Sequence, residues 1–224
     1  MSRKYKLPKF RIAGLVILSA IFASHALAAS AVPVERVLHS QKRSVAMYSQ
    51  LLIDAPVDVQ YSVSDTRSVE VIATDAAIPI LSSVVVGQTL TITLTNAIST
   101  PDPIKLVISG PSPSSLTISN SASVVAEGLS GPEVDVTVYG SGSIEASGSV
   151  STLKAHVAGS GFIDAMGLTA EDARIKVEGD GSAVVFATNS VFVEIEGAGH
   201  VTVSGNPTRR DMGNVSGGGW ATFE

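Results

Sequence analysis

The chain has 224 residues, with 15 Lys and Arg against 20 Asp and Glu, and it contains no cysteine. The lack of cysteine excludes disulfides, thiolate nucleophiles, Cys-ligated metals and a lipid-modified N-terminal Cys. Only 5% of the residues are aromatic, whereas Val, Ser, Gly and Thr are abundant, which is typical of a β-rich protein with many turns and a core of small side chains.

The N-terminal segment predicts export. Basic residues precede an apolar stretch over residues 12–23, and the small residues Ala26 and Ala28 match a signal peptidase site. We therefore predict a signal peptide over residues 1–28, cleaved after Ala28. A membrane anchor is the alternative, but a spanning helix needs about 20 apolar residues. Because no other stretch is long and apolar enough, we expect a periplasmic or secreted protein without stable membrane insertion.

Cleavage would change the charge balance. Five of the fifteen basic residues lie before the predicted cleavage site, whereas all twenty acidic residues lie after it. The mature chain would then carry ten basic against twenty acidic residues. This negative balance argues against nucleic acid and anionic membranes as partners, and it suits a neutral or cationic partner.

The first part of the mature chain predicts irregular β-structure. We predict a flexible arm over residues 29–44, followed by one domain over residues 45–224. Apolar and polar residues alternate from Val57 to Val63, which is the period of a half-buried strand, and similar short patterns recur up to Leu94. We interpret these strands as the opening coils and the N-terminal cap of the domain, with a loop at Asn96–Pro103.

The second part of the chain repeats. Four eleven-residue segments align without gaps, at 136–146, 155–165, 175–185 and 193–203, and each predicts a strand, a tight turn and a second strand. A Gly-x-Gly turn supplies the positive φ that other residues avoid, and Asn is the best substitute there. The turns start 18 to 20 residues apart, at Asn120, Gly140, Gly159, Gly179, Gly197 and Gly217.

Units this short bury their apolar side chains only by stacking on one another. The sequence therefore predicts an all-β fold, a single-stranded parallel β-helix or solenoid with coils of about 20 residues. A β-sandwich of hairpins is the alternative, but it does not explain why each position keeps its chemical type in successive units. Trp220 and Phe223 are expected to cap the last coil.

Several segments together resemble one bacterial family, the auto-transporter adhesin head GIN domain. They are Ile53–Tyr61, Ser68–Ala73, Val84–Ile92 and Leu116–Asn120, followed by the repeated Gly-Ser-Gly turns up to Pro207. The resemblance covers about residues 45–223 and implies a right-handed β-helix, export and an adhesive role. It supplies no catalytic residues. The altered turns at Asn120–Ala122 and Gly179–Gly181 depart from the family pattern and affect local turn geometry.

Stacking also predicts which side chains are neighbours, because equivalent residues of adjacent coils lie about 4.8 Å apart. Glu145 and Asp164 would form a carboxylate pair, with a spacing suited to a retaining glycosidase or a calcium site, or they would be two solvated acids. Neither aromatic nor basic side chains are evident beside them. His156 and His200 lie two coils apart at different positions, so we predict no metal site.

The flank of the solenoid is the other candidate. Lys176 is expected beside Glu194, and Asp135 beside Lys154, which gives either a solvated surface or a mixed-charge surface that binds an unknown protein or glycan. No nucleophile elbow or phosphate-binding loop is present.

We predict an exported, non-enzymatic binding module with no catalytic, metal or cofactor residues. Two alternatives stay open. One is a polysaccharide-active β-helix enzyme that uses Glu145 and Asp164, and the other is a periplasmic sensing or assembly partner. The oligomeric state is also open.

Overall fold

The structure, a computed structural model, describes residues 37–96 and 103–224. The predicted signal peptide, the first part of the predicted arm and most of the predicted loop at Asn96–Pro103 lie outside the described residues. Within the described ranges, no helix is long and apolar enough to cross a membrane.

Within residues 37–96 and 103–224, fifteen strands form one continuous sheet. A short 3₁₀ helix, Ile78–Ile80, follows the fourth strand. The strands are β1 His39–Arg43, β2 Gln50–Asp54, β3 Val57–Val63, β4 Ser68–Ala73, β5 Leu81–Val86, β6 Thr89–Leu94, β7 Ile104–Gly110, β8 Ser115–Asn120, β9 Ser123–Gly140, β10 Ser143–Gly159, β11 Phe162–Gly179, β12 Ser182–Glu196, β13 His200–Ser204, β14 Arg209–Ser216 and β15 Trp220–Phe223.

The long strands β9 to β12 each wrap around one coil, and they stack in parallel. Ile144 of β10 pairs with Val124 on one side and Ile163 on the other, and Gly159 pairs with Gly140 and Gly179. The prediction of a parallel β-solenoid with coils of about 20 residues is confirmed. The turn-start residues have positive φ: Asn120 (78°), Gly140 (101°), Gly159 (122°), Gly179 (109°), Gly197 (130°) and Gly217 (80°).

The core is a thin aliphatic cylinder that runs through the stacked coils. Alternation along each strand turns every second side chain inward, and parallel pairing stacks these side chains into columns. One such column contains Val136, Ala155, Ile175 and Val193, all of which are at most 2% exposed.

The N-terminal end mixes parallel and antiparallel pairing. Strands β2, β6 and β8 form one parallel ladder, and β3, β7 and β9 form another, which confirms that the first part of the domain contains opening coils. The hairpin β5–β6 and the antiparallel pairs β4–β7 and β1–β4 close this end. Part of the predicted arm is thus a paired strand, since residues 39–43 form β1. Its polar sequence lacks the alternation that predicts a strand.

The side chain of Arg43 links three of the elements at this end. The Arg43 guanidinium of β1 donates hydrogen bonds to the carbonyl oxygens of Ile78 (2.8 Å) and Leu81 (2.6 Å) and to Ser83 Oγ (3.1 Å). Burial lowers the pKa of Arg43 from its usual value. Arg43 therefore fastens β1 to the 3₁₀ helix and β5.

At the C-terminal end, β14 pairs with β12, and β15 pairs with β13. Phe223 packs against the core, and the Arg210 guanidinium lies 5.1 Å from the centre of its ring. Trp220 differs from our expectation: it is 55% exposed on the outer side, and its ring centre lies 4.6 Å from that of His200. Of the two expected cap residues, only Phe223 covers the interior, because Trp220 occupies an outward position of its strand.

Candidate functional site

One side of the solenoid carries a broad groove, which we call the charged flank. It is formed by the outward side chains that precede the glycine turns in successive coils. It is open to solvent and has a volume of about 1140 Å³. Period-two alternation turns these side chains outward, and parallel stacking aligns them. The outward polar and aromatic side chains that line it are Glu133, Asp135, Thr137, Tyr139, Thr152, Lys154, His156, Asp172, Arg174, Lys176, Ser190, Phe192, Glu194, Arg209 and Asp211.

The predicted columns are present on the charged flank. Asp135 pairs in register with Lys154, and Lys176 pairs with Glu194. The hydrogen-bonded ion pairs, however, join other residues. Lys154 Nζ lies 2.7 Å from Glu133 Oε1, and Lys176 Nζ lies 2.8 Å from an oxygen of Glu178. Long side chains reach diagonal and same-strand neighbours as readily as the residue directly opposite, so pairing in register does not determine the ion pairs.

Glu178 is the hub of one cluster at the edge of the charged flank. Its Oε1 binds Lys176 Nζ, and its Oε2 lies 2.7 Å from His156 Nε2. The hydrogen bond from Lys176, and after it the one from His156, holds the pKa of Glu178 below its usual value. The hydrogen bond to Glu178 in turn raises the pKa of Lys176. The Tyr139 ring meets His156 edge-on at 5.8 Å, so the cluster is also held from the neighbouring coil.

Asp172 is the centre of a second cluster. Its carboxylate accepts hydrogen bonds from Ser190 Oγ and, at 2.8 Å, from Asn189 Nδ2. The hydrogen bond from Ser190 is the main cause that holds the pKa of Asp172 below its usual value, and Arg209 adds a favourable charge. The charges of Glu133, Lys154, Asp172 and Lys176 are therefore engaged with neighbouring side chains.

Arg174 lies at the centre of the flank and is not engaged in this way; in the described part of the chain the same holds for Glu194, Arg209 and Asp211. Arg174 is exposed and stands in register between Lys154 and Phe192. Among the described residues, no ion pair or side-chain hydrogen bond holds its guanidinium, whereas Lys154 and Lys176 each bind a glutamate. Phe192, in register with Arg174 on the next coil, is half-buried and gives the flank an apolar surface beside this position.

The structure brings Glu145 and Asp164 together as predicted, in register on β10 and β11. They lie on a different side of the coils from the charged flank and line a depression of about 130 Å³ with Phe162, aliphatic side chains and two serines. The expectation that no aromatic side chain lies beside the pair was therefore wrong, because Phe162 occupies an outward position near the turn. That volume is well below the roughly 300 Å³ of a small ligand pocket. The side chains that line the depression include no cation. Within the described residues, no three His, Asp or Glu side chains are placed to hold a metal ion.

Sequence reasoning missed Glu133, Glu178 and Asp172 as the residues that organise the flank. Glu133 and Asp172 lie at the corner where the strand enters the flank, at positions that the column alignment did not extend to. The partners of Glu178 lie on its own strand and on a diagonal, so the alignment of equivalent positions does not find them. A search of neighbours two residues away along each strand would have found Lys176.

Comparisons with known proteins agree with the fold. A family model described as "Putative auto-transporter adhesin, head GIN domain" matches residues 47–207. The structure resembles that of a putative adhesin from Bacteroides fragilis, with a TM-score of 0.67 and 18% identity over 84% of this chain and 96% of that one. No curated protein matches the sequence significantly.

Two structures from Parabacteroides distasonis are also similar. One is a putative lipid binding protein, with a TM-score of 0.55 and 18% identity over 84% of this chain and 96% of that one. The other is a putative adhesin, with a TM-score of 0.52 and 22% identity over 85% of this chain and 97% of that one. At these identities the likeness establishes the fold alone.

Proposed function

Because this chain belongs to the head GIN domain family of auto-transporter adhesins, we propose that it is an exported, non-enzymatic module that binds a ligand through its charged flank. The groove on that flank carries the proposal. Its volume of about 1140 Å³ is enough for an extended ligand, and acidic, basic, hydroxyl and aromatic side chains all line it. Export is supported by the basic and apolar N-terminal segment.

The scaffold suits recognition of an extended partner. Solenoids present long continuous surfaces whose side chains are fixed by the stacking of neighbouring coils. On the charged flank, the Glu178 and Asp172 clusters add side-chain contacts between coils. A surface that is already ordered loses little conformational entropy when it binds.

The polar lining favours a hydrophilic ligand over a lipid. One structural neighbour is named as a lipid binding protein, and a lipid tail needs an apolar cavity to replace water. Charged side chains dominate the flank, and the aliphatic core behind it is packed with buried side chains. A glycan or a protein surface matches this chemistry better. A sensing or assembly partner in the envelope would use the same surface.

An array experiment tests the proposal. The protein expressed from the full chain is applied to glycan and envelope-protein arrays beside two double variants. Lys154→Gln/Glu194→Gln changes the flank without changing the net charge. Lys105→Gln/Glu127→Gln makes the same chemical change at exposed positions outside it. We expect bound spots to lose signal in the flank variant alone.

Two results would contradict the proposal. One is that the wild-type protein binds no spot on either array, and the other is that both double variants retain or lose binding equally. Equal thermal unfolding midpoints of the three proteins would show that the flank variant remains folded, so that lost signal reports lost contacts.

A further inference from the structure

Arg174 stands at the centre of a small basic area in the charged flank. Lys154 precedes it in the same column, and Lys176 lies two residues further along the same strand. Glu133, which binds Lys154, and Glu178, which binds Lys176, lie at opposite ends of the basic area, away from Arg174. The Arg174 guanidinium therefore keeps its hydrogen-bond donors for a ligand, and its planar fork matches a carboxylate in particular.

Acidic side chains surround this basic area. Asp135 lies one coil before Lys154 in the column, Glu194 pairs in register with Lys176, and Asp211 lies one coil beyond Phe192. Carboxylates accept hydrogen bonds from hydroxyl groups, but they repel a second anionic group. Arg209, the other flank cation without an ion pair among the described residues, lies at the margin, where the charge of Asp172 offsets it. The flank is thus built for one negative charge at its centre and for neutral donors around it. A densely charged polyanion meets repulsion on both sides.

Phe192 supplies an apolar surface next to Arg174. Close packing against the backbone of β14 fixes its ring, since a Cβ built on Gly213 would lie 2.8 Å from the ring's Cζ. The C–H face of a sugar ring packs on such a surface, while the hydroxyl groups at its rim reach the neighbouring carboxylates. One guanidinium, one phenyl ring and several carboxylates match a carboxylated sugar better than a peptide of mixed charge.

We infer that the charged flank binds a hydroxyl-rich glycan with few carboxylates, with one carboxylate on Arg174 and a sugar ring on Phe192. This inference rests on the proposed function, because it names the ligand class for the same groove. The negative charge of the rest of the chain does not oppose it at contact range, since charges separated by more than about 8 Å are largely screened at physiological ionic strength.

Titration calorimetry with three probes of equal length tests the inference. The first is an N-acetylglucosamine oligosaccharide that contains one glucuronate residue, and the second is an N-acetylglucosamine oligosaccharide without carboxylates. The third is a heparin oligosaccharide, which is densely charged. We expect the first probe to bind at least about tenfold more tightly than the second, as one charged hydrogen-bonded contact provides. Heparin should bind more weakly than the first probe.

Variants assign the contacts. Arg174→Gln should weaken binding of the glucuronate probe about tenfold and leave binding of the neutral probe unchanged. Phe192→Leu keeps an apolar side chain but removes the ring, and it should weaken both probes. Lys105→Gln, which removes an exposed cation outside the flank, is the matched control and should change neither.

The inference is overturned if the glucuronate probe does not bind at millimolar concentration, if heparin binds most tightly, or if Arg174→Gln has no larger effect than Lys105→Gln. The array experiment separates this failure from that of the proposed function. Array binding that depends on Lys154 and Glu194 would keep the flank as a binding surface with another ligand class.

Discussion

Gly159 lies so close to Gly140 of the preceding coil that a Cβ on Gly159 would stand 2.5 Å from the Gly140 carbonyl oxygen. Its φ of 122° is also a conformation that L-residues avoid. We expect Gly159→Ala to lower the free energy of unfolding by at least about 2 kcal/mol, since strain and a backbone clash add. Urea unfolding followed by circular dichroism measures this loss.

Gly87→Ala is the matched control for that substitution. Gly87 also has positive φ, 64°, but no atom beyond its two chain neighbours lies within 4 Å of the position that its Cβ would take. Strain alone should cost about 1 kcal/mol. If Gly87→Ala proved as damaging as Gly159→Ala, close stacking of the coils would not be the reason for glycine in the turns.

The repeat made the coils predictable because every unit has the same glycine spacing and the same alternation of apolar residues. Once the coils stack, pairing such as that of Glu145 with Asp164 follows from counting along the chain. The ends were less predictable. Strand β1 forms because the adjacent strand β4 offers an open edge, and that is a property of the assembled sheet rather than of the polar residues 39–43.

The alignment of equivalent positions in the repeats also did not determine the side-chain partners within the charged flank. The column alignment placed Lys176 beside Glu194, but the lysine binds Glu178 instead. Four rotatable bonds give lysine a choice among several nearby carboxylates, and small differences in distance decide it. The aligned positions do not contain that information.

The N-terminal end should depend on Arg43. Removal of its guanidinium leaves the carbonyl oxygens of Ile78 and Leu81 without these hydrogen bonds. We expect Arg43→Gln to lower the free energy of unfolding by about 1–3 kcal/mol. Amide hydrogen exchange should become faster in β1 and β5, while β10 and β11 stay protected.

Lys42→Gln provides the comparison for Arg43. Lys42 is exposed, and its only ion pair among the described residues is with Glu70 at 3.7 Å, so it should contribute little. Equal exchange rates in β1 for the two variants would show that the Arg43 hydrogen bonds do not hold this end closed.

The Glu178 cluster should make stability depend on pH. Its folded pKa lies below its ordinary value of 4.5, chiefly because of Lys176 and then His156. A carboxyl group with a depressed folded pKa stabilises the folded state above its unfolded pKa, and that contribution is lost as pH falls through the folded pKa. Glu178→Gln should therefore be less stable than wild type at pH 7, and the difference should shrink as pH falls below 4.5.

Unfolding in urea at pH 7 and at pH 3 measures that change. The effect should be small, because the Glu178 side chain is 37% exposed and solvent screens the pair. Glu196→Gln, which removes a more exposed carboxylate from the next coil, is the control. A stability difference for Glu178→Gln that is the same at both pH values would mean that the pairs with Lys176 and His156 do not stabilise the fold.

The carboxylate pair on the other side of the solenoid should have no catalytic activity. Glu145 and Asp164 line a depression that is too small for a segment of a polysaccharide chain. The side chains around it include no cation that could bind an anionic substrate. We expect incubation with neutral and acidic polysaccharides to release no reducing sugar. We also expect Glu145→Gln and Asp164→Asn to leave ligand binding at the charged flank unchanged, because they lie on a different side of the coils. Sugar release that disappears in both variants would instead establish the pair as the acid and nucleophile of a glycosidase, and it would displace the binding function as the primary activity.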